Sequence, residues 1–247
     1  MKNLTEEELV SLAINIRAFY DYQNERLAID GRLGQKKDGS LKKRTPYRDE
    51  VLLIYLRSRR DEILRFENEL EKEITKVVRK HPLWKAFLEN VKGCGPIMAA
   101  VIITEFDIHK APTVSNLCSF AGLAPGKDRK KKGKKCPYNQ FLRSKLCGVL
   151  ASRFIISKSV PYSGYYYREK QRLENSDVLV PEVKKGGKIE MVKWCEATKD
   201  HRHKAAIRKM IKAFLKDLYV VWRELEGLPV RKPYEEEYLG KKHKKAA

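Results

Sequence analysis

Leu9, Leu12, Ile16 and Phe19 recur at spacings of three and four, which places them on one stripe of an α-helix. Thr5 stands three residues before Glu8, the spacing of a capping box, in which hydroxyl and carboxylate each satisfy a backbone N–H orphaned at a helix start. A first helix with one buried face is therefore predicted from about Thr5. A Gly- and Lys-rich break follows, IDGRLGQKKDGSLKKR, after which Thr45 and Pro46 supply an N-cap and a first-turn proline for a second helix. In it Leu56, Ile63, Leu70 and Val77 lie seven apart, with Phe66 and Ile74 between them. Such a stripe is buried either against the first helix, as an antiparallel hairpin, or against another copy, as a short coiled coil.

Helical signals continue along the chain. HPLWKAFLEN, with Pro82 near its start, predicts a short helix leading into Gly93 and Gly95, and Pro96 marks the opening of the next. SNLCSFAGLAP and NQFLRSKLCGVLASRFIIS predict two more, on either side of the basic loop GKDRKKKGKK. From Asn175 to Lys188 the composition is that of an exposed loop or short hairpin. Ile207, Ile211, Phe214, Leu218, Trp222 and Leu225 then hold a stripe over about 202–226, ended by Gly227 and Pro229. The expected fold class is all-α. A helical hairpin or coiled coil would occupy residues 1–80, a helix-hairpin-helix-containing domain 81–240, and a basic, disordered tail 241–247.

Charge changes the picture from fold to partner. The 247 residues include 53 Lys and Arg against 32 Asp and Glu, a formal charge of +21, and a clustered excess of that size calls for a polyanion. Nucleic acid is the first candidate. Five cysteines without a C-x-x-C pair point to a reducing compartment, and MKNLTEEELV carries acids where a leader peptide would carry bases. No run approaches the roughly 18 apolar residues of a membrane span. A cytoplasmic, nucleoid-associated protein without membrane partner, metal or cofactor is the expectation.

The candidate contacts are two. Val91, Lys92, Gly93, Cys94, Gly95, Pro96 and then Ala99, Val101 and Ile102 follow the helix-hairpin-helix pattern. Its glycines let the backbone turn and approach a partner without Cβ contact, and the N–H groups opening the next helix can bind phosphate oxygen. In the basic loop Lys127, Arg129, Lys130, Lys131, Lys132, Lys134 and Lys135 face only Asp128, a run suited to a phosphate chain or simply to solvent.

The order of these motifs resembles the C-terminal transposase domain of the IS-one-ten family of insertion-sequence transposases, whose complete members are guided by a bridge RNA. VKGCGPIMAAVIITEF is similar to that family's helix-hairpin-helix, LCSFAGLAPG to its Y-A-G-L-A-P segment, YNQFLRSKL to its G-N-x-x-L-R-x-x-L helix, which contains Arg143, and DHRHKAAIRKMIKAFLKDLYVVWRE to its closing helix. The resemblance runs from about residue 9 to 240 and implies duplex DNA as partner, structured RNA as a further candidate, and a homo-oligomer.

Two departures qualify what it implies. Complete members begin with a RuvC-like nuclease domain, whereas the resemblance here begins at the connector. The family also places a nucleophilic serine in the basic loop, and between Pro125 and Arg143 there is no serine. Cys136 and Tyr138 are the nearby groups with a nucleophilic atom, and Ser144 lies in the following helix. Cys195, His201 and His203 lack a fourth zinc ligand and regular spacing. Tyr162, Tyr165, Tyr166 and Tyr167, beside Arg168 and Lys170, either stack on unpaired bases or cap the core and meet a partner chain. The expected function is backbone-directed DNA binding without independent strand transfer, the alternative a recombinase subunit acting with a nuclease domain on another chain.

Overall fold

The computed structural model describes residues 4–34, 49–124, 133, 135–183 and 187–231. Thr5 caps α1 (Glu6–Leu33): its hydroxyl accepts from the Glu8 N–H at 3.2 Å while the Glu8 carboxylate accepts from the Thr5 N–H at 3.0 Å. The helix runs through the start of the predicted break, because Ile29 and Leu33 are buried with Leu56 and Ile63 of the second helix. Burying two such side chains, at roughly 1.5–3 kcal/mol each, outweighs the ~1 kcal/mol cost of Gly31 inside a helix.

The second helix, α2 (Glu50–Val78), is capped by Asp49, whose carboxylate accepts from the N–H groups of Val51 and Leu52. The described helix therefore has its cap four residues beyond the expected one, Thr45, which with Pro46 lies outside the described residues. The two helices run antiparallel. Lys80 meets Glu8 at 2.8 Å near one end of the pair, and Arg60 meets Asp30 at 2.9 Å near the other. Their shared seam buries Leu12, Ile16, Leu56, Ile63 and Ile74. Glu67, which interrupts that seam, is buried but gripped by the Arg26 guanidinium at 2.6 and 3.1 Å. A buried carboxylate persists where such a bidentate, charge-assisted pair replaces its water.

Next come α3 (Pro82–Ala86), a 3-10 turn (Leu88–Asn90), α4 (Pro96–Glu105) and α5 (Val114–Phe120). The predicted helix after the basic loop is one helical run in three parts: α6 (Gln140–Ser144), a wider π turn (Lys145–Leu150) and α7 (Ala151–Ile156). A further helix, α8 (Tyr162–Glu174), a hairpin of β1 (Leu179–Val183) and β2 (Ile189–Lys193), and α9 (Lys199–Leu225) complete the order.

Helix α4 is apolar on every side, with Met98 to Ile103 all buried, because α1, α2 and the α6–α7 run surround it. Such a helix is central by composition. Around it Phe154, Tyr162 and Phe214 pack ring on ring, with centroids 4.9–5.5 Å apart. Of the α9 stripe, Ile207, Ile211, Phe214, Leu218 and Trp222 are buried, whereas Leu225, in the last turn, is exposed. The chain is predominantly helical, and the β1–β2 pair is the one sheet among the described residues.

Candidate nucleic-acid interface

The predicted turn opens α4, and residues flanking the basic loop are tied to the other end of that helix. Ten residues at 1.5 Å rise separate those ends by about 15 Å.

At the N-terminal end, the two glycines of Val91–Pro96 do different things. Gly93 has φ +96°, and a Cβ there would lie 3.1 Å from Ser157 Oγ and 3.3 Å from the Arg153 backbone, so its bareness lets the turn press on the end of α7. Gly95 has φ −80° and ψ 173°, accessible to any residue, and a Cβ there would meet no atom within 4 Å. It is exposed, and no side chain caps the helix that it opens. Pro96 takes the first helical position, where its missing N–H costs nothing. Between them Cys94 is buried, and burial pushes its thiol up to about 12. Its side chain is part of the core packing.

The surroundings carry both signs. Lys92, Arg153 and Lys158 are exposed on the turn and on the end of α7 that it touches. A groove of about 340 Å³ runs from Gly95, Pro96 and Arg153 to Phe19, Tyr20 and Gln23 of α1 and to Glu67 and Glu71 of α2. Lys145 lies on the Tyr20 ring, 3.1 Å from its centroid, and Arg17 on Phe141, 3.5 Å from its centroid. Burial, and then repulsion from Arg17, lower the Lys145 pKa. The pattern of the chain did not mark Arg17, Lys145 or Arg153, since each falls within a helix read for its apolar stripe. Only packing brings them together.

At the C-terminal end of α4 the structure is tied. Glu105 accepts from Arg17 and from the side-chain amide of Asn139. The Asn139 oxygen in turn caps α6 by accepting from the Leu142 N–H at 3.0 Å. Its backbone N–H donates to the Phe120 carbonyl at 2.9 Å. Gly122, at φ +68°, lies so close to Tyr138 that a Cβ would sit 2.6 Å from the ring. Arg143 donates to the Gly122 carbonyl and stacks on Tyr138 at 4.9 Å. Thus the last residues before the basic loop and the first after it are joined.

Of that loop, Lys127, Arg129, Lys130, Lys131, Lys132 and Lys134 lie outside the described residues, and Lys135 is exposed. Cys136 is half-buried, Ser144 exposed at the end of α6, and Tyr138 engaged with Gly122 and Arg143.

The tyrosines divide. Tyr162 is buried and donates to Asp217 at 2.9 Å, with its pKa raised chiefly by burial. Tyr166 is buried with its hydroxyl 2.7 Å from His203 Nδ1. Tyr165 carries the Arg168 guanidinium at 4.9 Å, and Tyr167 is exposed. His203 and His201 are separately engaged, His201 against Trp194 at 4.9 Å and Cys195 near Asp177 at 3.8 Å. No group of three or more His, Cys, Asp or Glu among the described residues is arranged to hold a metal ion. No described helix is long and apolar enough to cross a membrane.

Residues 85–168, about a third of the chain, match the family described as Transposase IS116/IS110/IS902. The matched segment spans the whole of α4 and both of its ends. Comparison with curated proteins and with solved structures gave no match. The family match supports a transposase-related, DNA-associated role for the segment.

Proposed function

We propose that the chain grips duplex DNA by its phosphate backbone, through a helix-hairpin-helix at Lys92–Pro96 and the lysine loop, without strand transfer of its own. The supporting observation is the opening of α4, where Gly95 is exposed, bare of neighbours and uncapped by any side chain. The N–H groups of Ile97 and Met98 there suit phosphate oxygen, and Lys92 and Arg153 add charge beside them. Contacts of this kind read the backbone and tolerate sequence. The absence of serine from Pro125 to Arg143 supports the second half of the reading.

Retention of duplex DNA on a native gel, repeated across salt, tests the first half. Neutralising about six phosphates predicts roughly a thousandfold loss of affinity between 50 and 200 mM salt, and a flat profile would refute phosphate contact. A denaturing gel after incubation with Mg²⁺ tests the second. A covalent adduct would favour the recombinase reading, with Cys136, Tyr138 and Ser144 the residues to replace. Structured RNA as competitor separates a DNA grip from an RNA one, and light scattering gives the oligomer.

A further inference from the structure

Along α9 the cations form a row that the apolar stripe does not explain. The sixteen residues from His201 to Lys216 hold six Lys and Arg and no Asp or Glu. Arg202 is used inside the fold, donating to the Trp194, Cys195 and Ala197 carbonyls at 3.2, 2.8 and 2.6 Å. Lys204, Arg208, Lys212 and Lys216 stand four apart, with Lys209 beside them. At 1.5 Å rise per residue the four make one ridge about 18 Å long. Lys204 and Lys209 are exposed, and Arg208, Lys212 and Lys216 are half-buried.

The acids around this ridge are engaged elsewhere or at its edge. Asp200 meets Lys204 at 2.6 Å. Glu182 of the β1–β2 hairpin is buried and accepts from the N–H and hydroxyl of Thr198, the α9 N-cap, at 2.8 and 2.6 Å, while Leu179, Val183, Ile189 and Met191 of that hairpin stay exposed. Glu169 of α8 is held by Arg172 at 2.9 and 2.7 Å, which lowers its carboxyl pKa, with a smaller pull from Lys209. Asp217 accepts from Tyr162. No hydrogen bond or ion pair among the described residues engages Arg208, Lys209 or Lys212. Burial raises the Cys147 thiol pKa against opposing pulls from Arg143 and Arg208, so the positive face extends from α9 towards α6. On α2, by contrast, the charges are interspersed: Arg59 meets Glu62 and Arg60 meets Asp61. Like charges four apart repel along a helix, so the α9 row works against the helix that carries it until an anion lies on it.

We infer that this face of α9 holds a second stretch of duplex DNA backbone, apart from the one at the Gly95 turn, with Arg208, Lys209 and Lys212 as its phosphate contacts. The inference rests on the DNA-binding reading above and adds a surface to it. Duplex DNA carries one charge per roughly 1.7 Å of axis, so a ridge of about 18 Å lies along about ten of them. The α6–α7 run stands between the two surfaces. Gly93 presses on Arg153 of that run, and Arg208 acts on Cys147, six residues earlier. Six helical residues are about 9 Å, less than the roughly 12 Å width of a duplex major groove, so one duplex can meet both surfaces. Contact with phosphate positions the duplex and does not select its sequence.

The test is a salt titration of duplex retention on native gels for wild type and three variants. Lys209→Gln/Lys212→Gln removes two of the contacts without breaking an ion pair among the described residues, so it should keep the wild-type melting temperature. Lys209→Gln alone is the milder second variant. Lys72→Gln/Lys76→Gln removes the same net charge from exposed positions of α2. Each phosphate contact contributes about 0.9 to the slope of log affinity against log salt. The α9 pair should therefore flatten the slope by about 1.8, Lys209→Gln by about 0.9, and the α2 pair not at all. Equal flattening by the α2 pair would make the effect one of net charge and overturn the inference. An α9 pair with the wild-type slope also overturns it, and leaves the grip at Gly95 standing. So does an α9 pair that keeps its duplex slope and loses only a structured RNA hairpin, which would give the face to RNA. Wild type that retains no duplex at low salt overturns the grip and this contact together.

Discussion

The two ends of α4 are built on opposite principles. At Glu105 the side chains of Arg17 and Asn139 converge on one carboxylate, and Gly122, Tyr138 and Arg143 lock the chain on either side of the basic loop. At Gly95 the helix begins bare, with a proline first and no side-chain cap. A helix start normally gains about 1 kcal/mol from a capping side chain, and α1, α2, α6 and α9 all have one. The contrast teaches that rigidity and openness are divided: the residues flanking the basic loop are locked together, while the glycine turn leaves the first backbone donors of α4 without a side-chain cap.

The largest effect should come from attacking the locked end. Gly122→Ala places a Cβ 2.6 Å from the Tyr138 ring at a φ of +68°. We expect a loss of about 3 kcal/mol, read as a lower urea midpoint, from strain and displaced packing together. An unchanged midpoint would mean that the roots of the loop are not fixed as described.

A sharper comparison sets the two glycines of the turn side by side. Gly93→Ala meets both a positive φ and the Arg153 backbone at 3.3 Å, and should cost about 2 kcal/mol. Gly95→Ala should leave stability within about 0.5 kcal/mol while weakening DNA binding roughly fivefold, because its Cβ stands where phosphate would approach. Equal effects on stability would erase the distinction between the structural and the functional glycine.

The smallest effect concerns His81, which caps α3 by accepting from the Leu83 N–H at 3.1 Å. Burial lowers its pKa below the ordinary 6.5, against a weaker opposing pull from Glu226. Folded His81 therefore holds its proton less tightly than unfolded His81. Its contribution is complete above pH 6.5 and is lost as pH falls from 6.5 towards the folded value. His81→Asn keeps a capping oxygen without a titrating ring. Melting temperatures from pH 7.5 to 5 should fall more steeply for wild type than for this variant, and parallel curves would remove His81 as the source.

Much of the fold could be read along the chain because helices are local. The capping box at Thr5 and Glu8, the prolines at 82 and 96, and the stripe from Ile207 to Trp222 mark their helices through contacts within a few residues. The start of α2 at Asp49 and the persistence of α1 to Leu33 were less legible, since what extends α1 is burial against a helix more than twenty residues away. The turn was legible as a motif, but the division of labour between Gly93 and Gly95 depends on where α7 ends.

By itself, then, the sequence determined the charge, the helical periods, the glycine turn and the basic loop, because each is a property of neighbouring residues. Tertiary structure alone decided that Leu56 and Ile63 of α2 are buried with Ile29 and Leu33 of α1, and that the Gly95 turn and the tie at Glu105 stand about 15 Å apart on one helix. It also turned the apolar face of the hairpin outwards. Which side of a ribbon faces solvent is settled by its anchor, and that anchor, Glu182 on Thr198, joins residues sixteen apart that no periodicity connects.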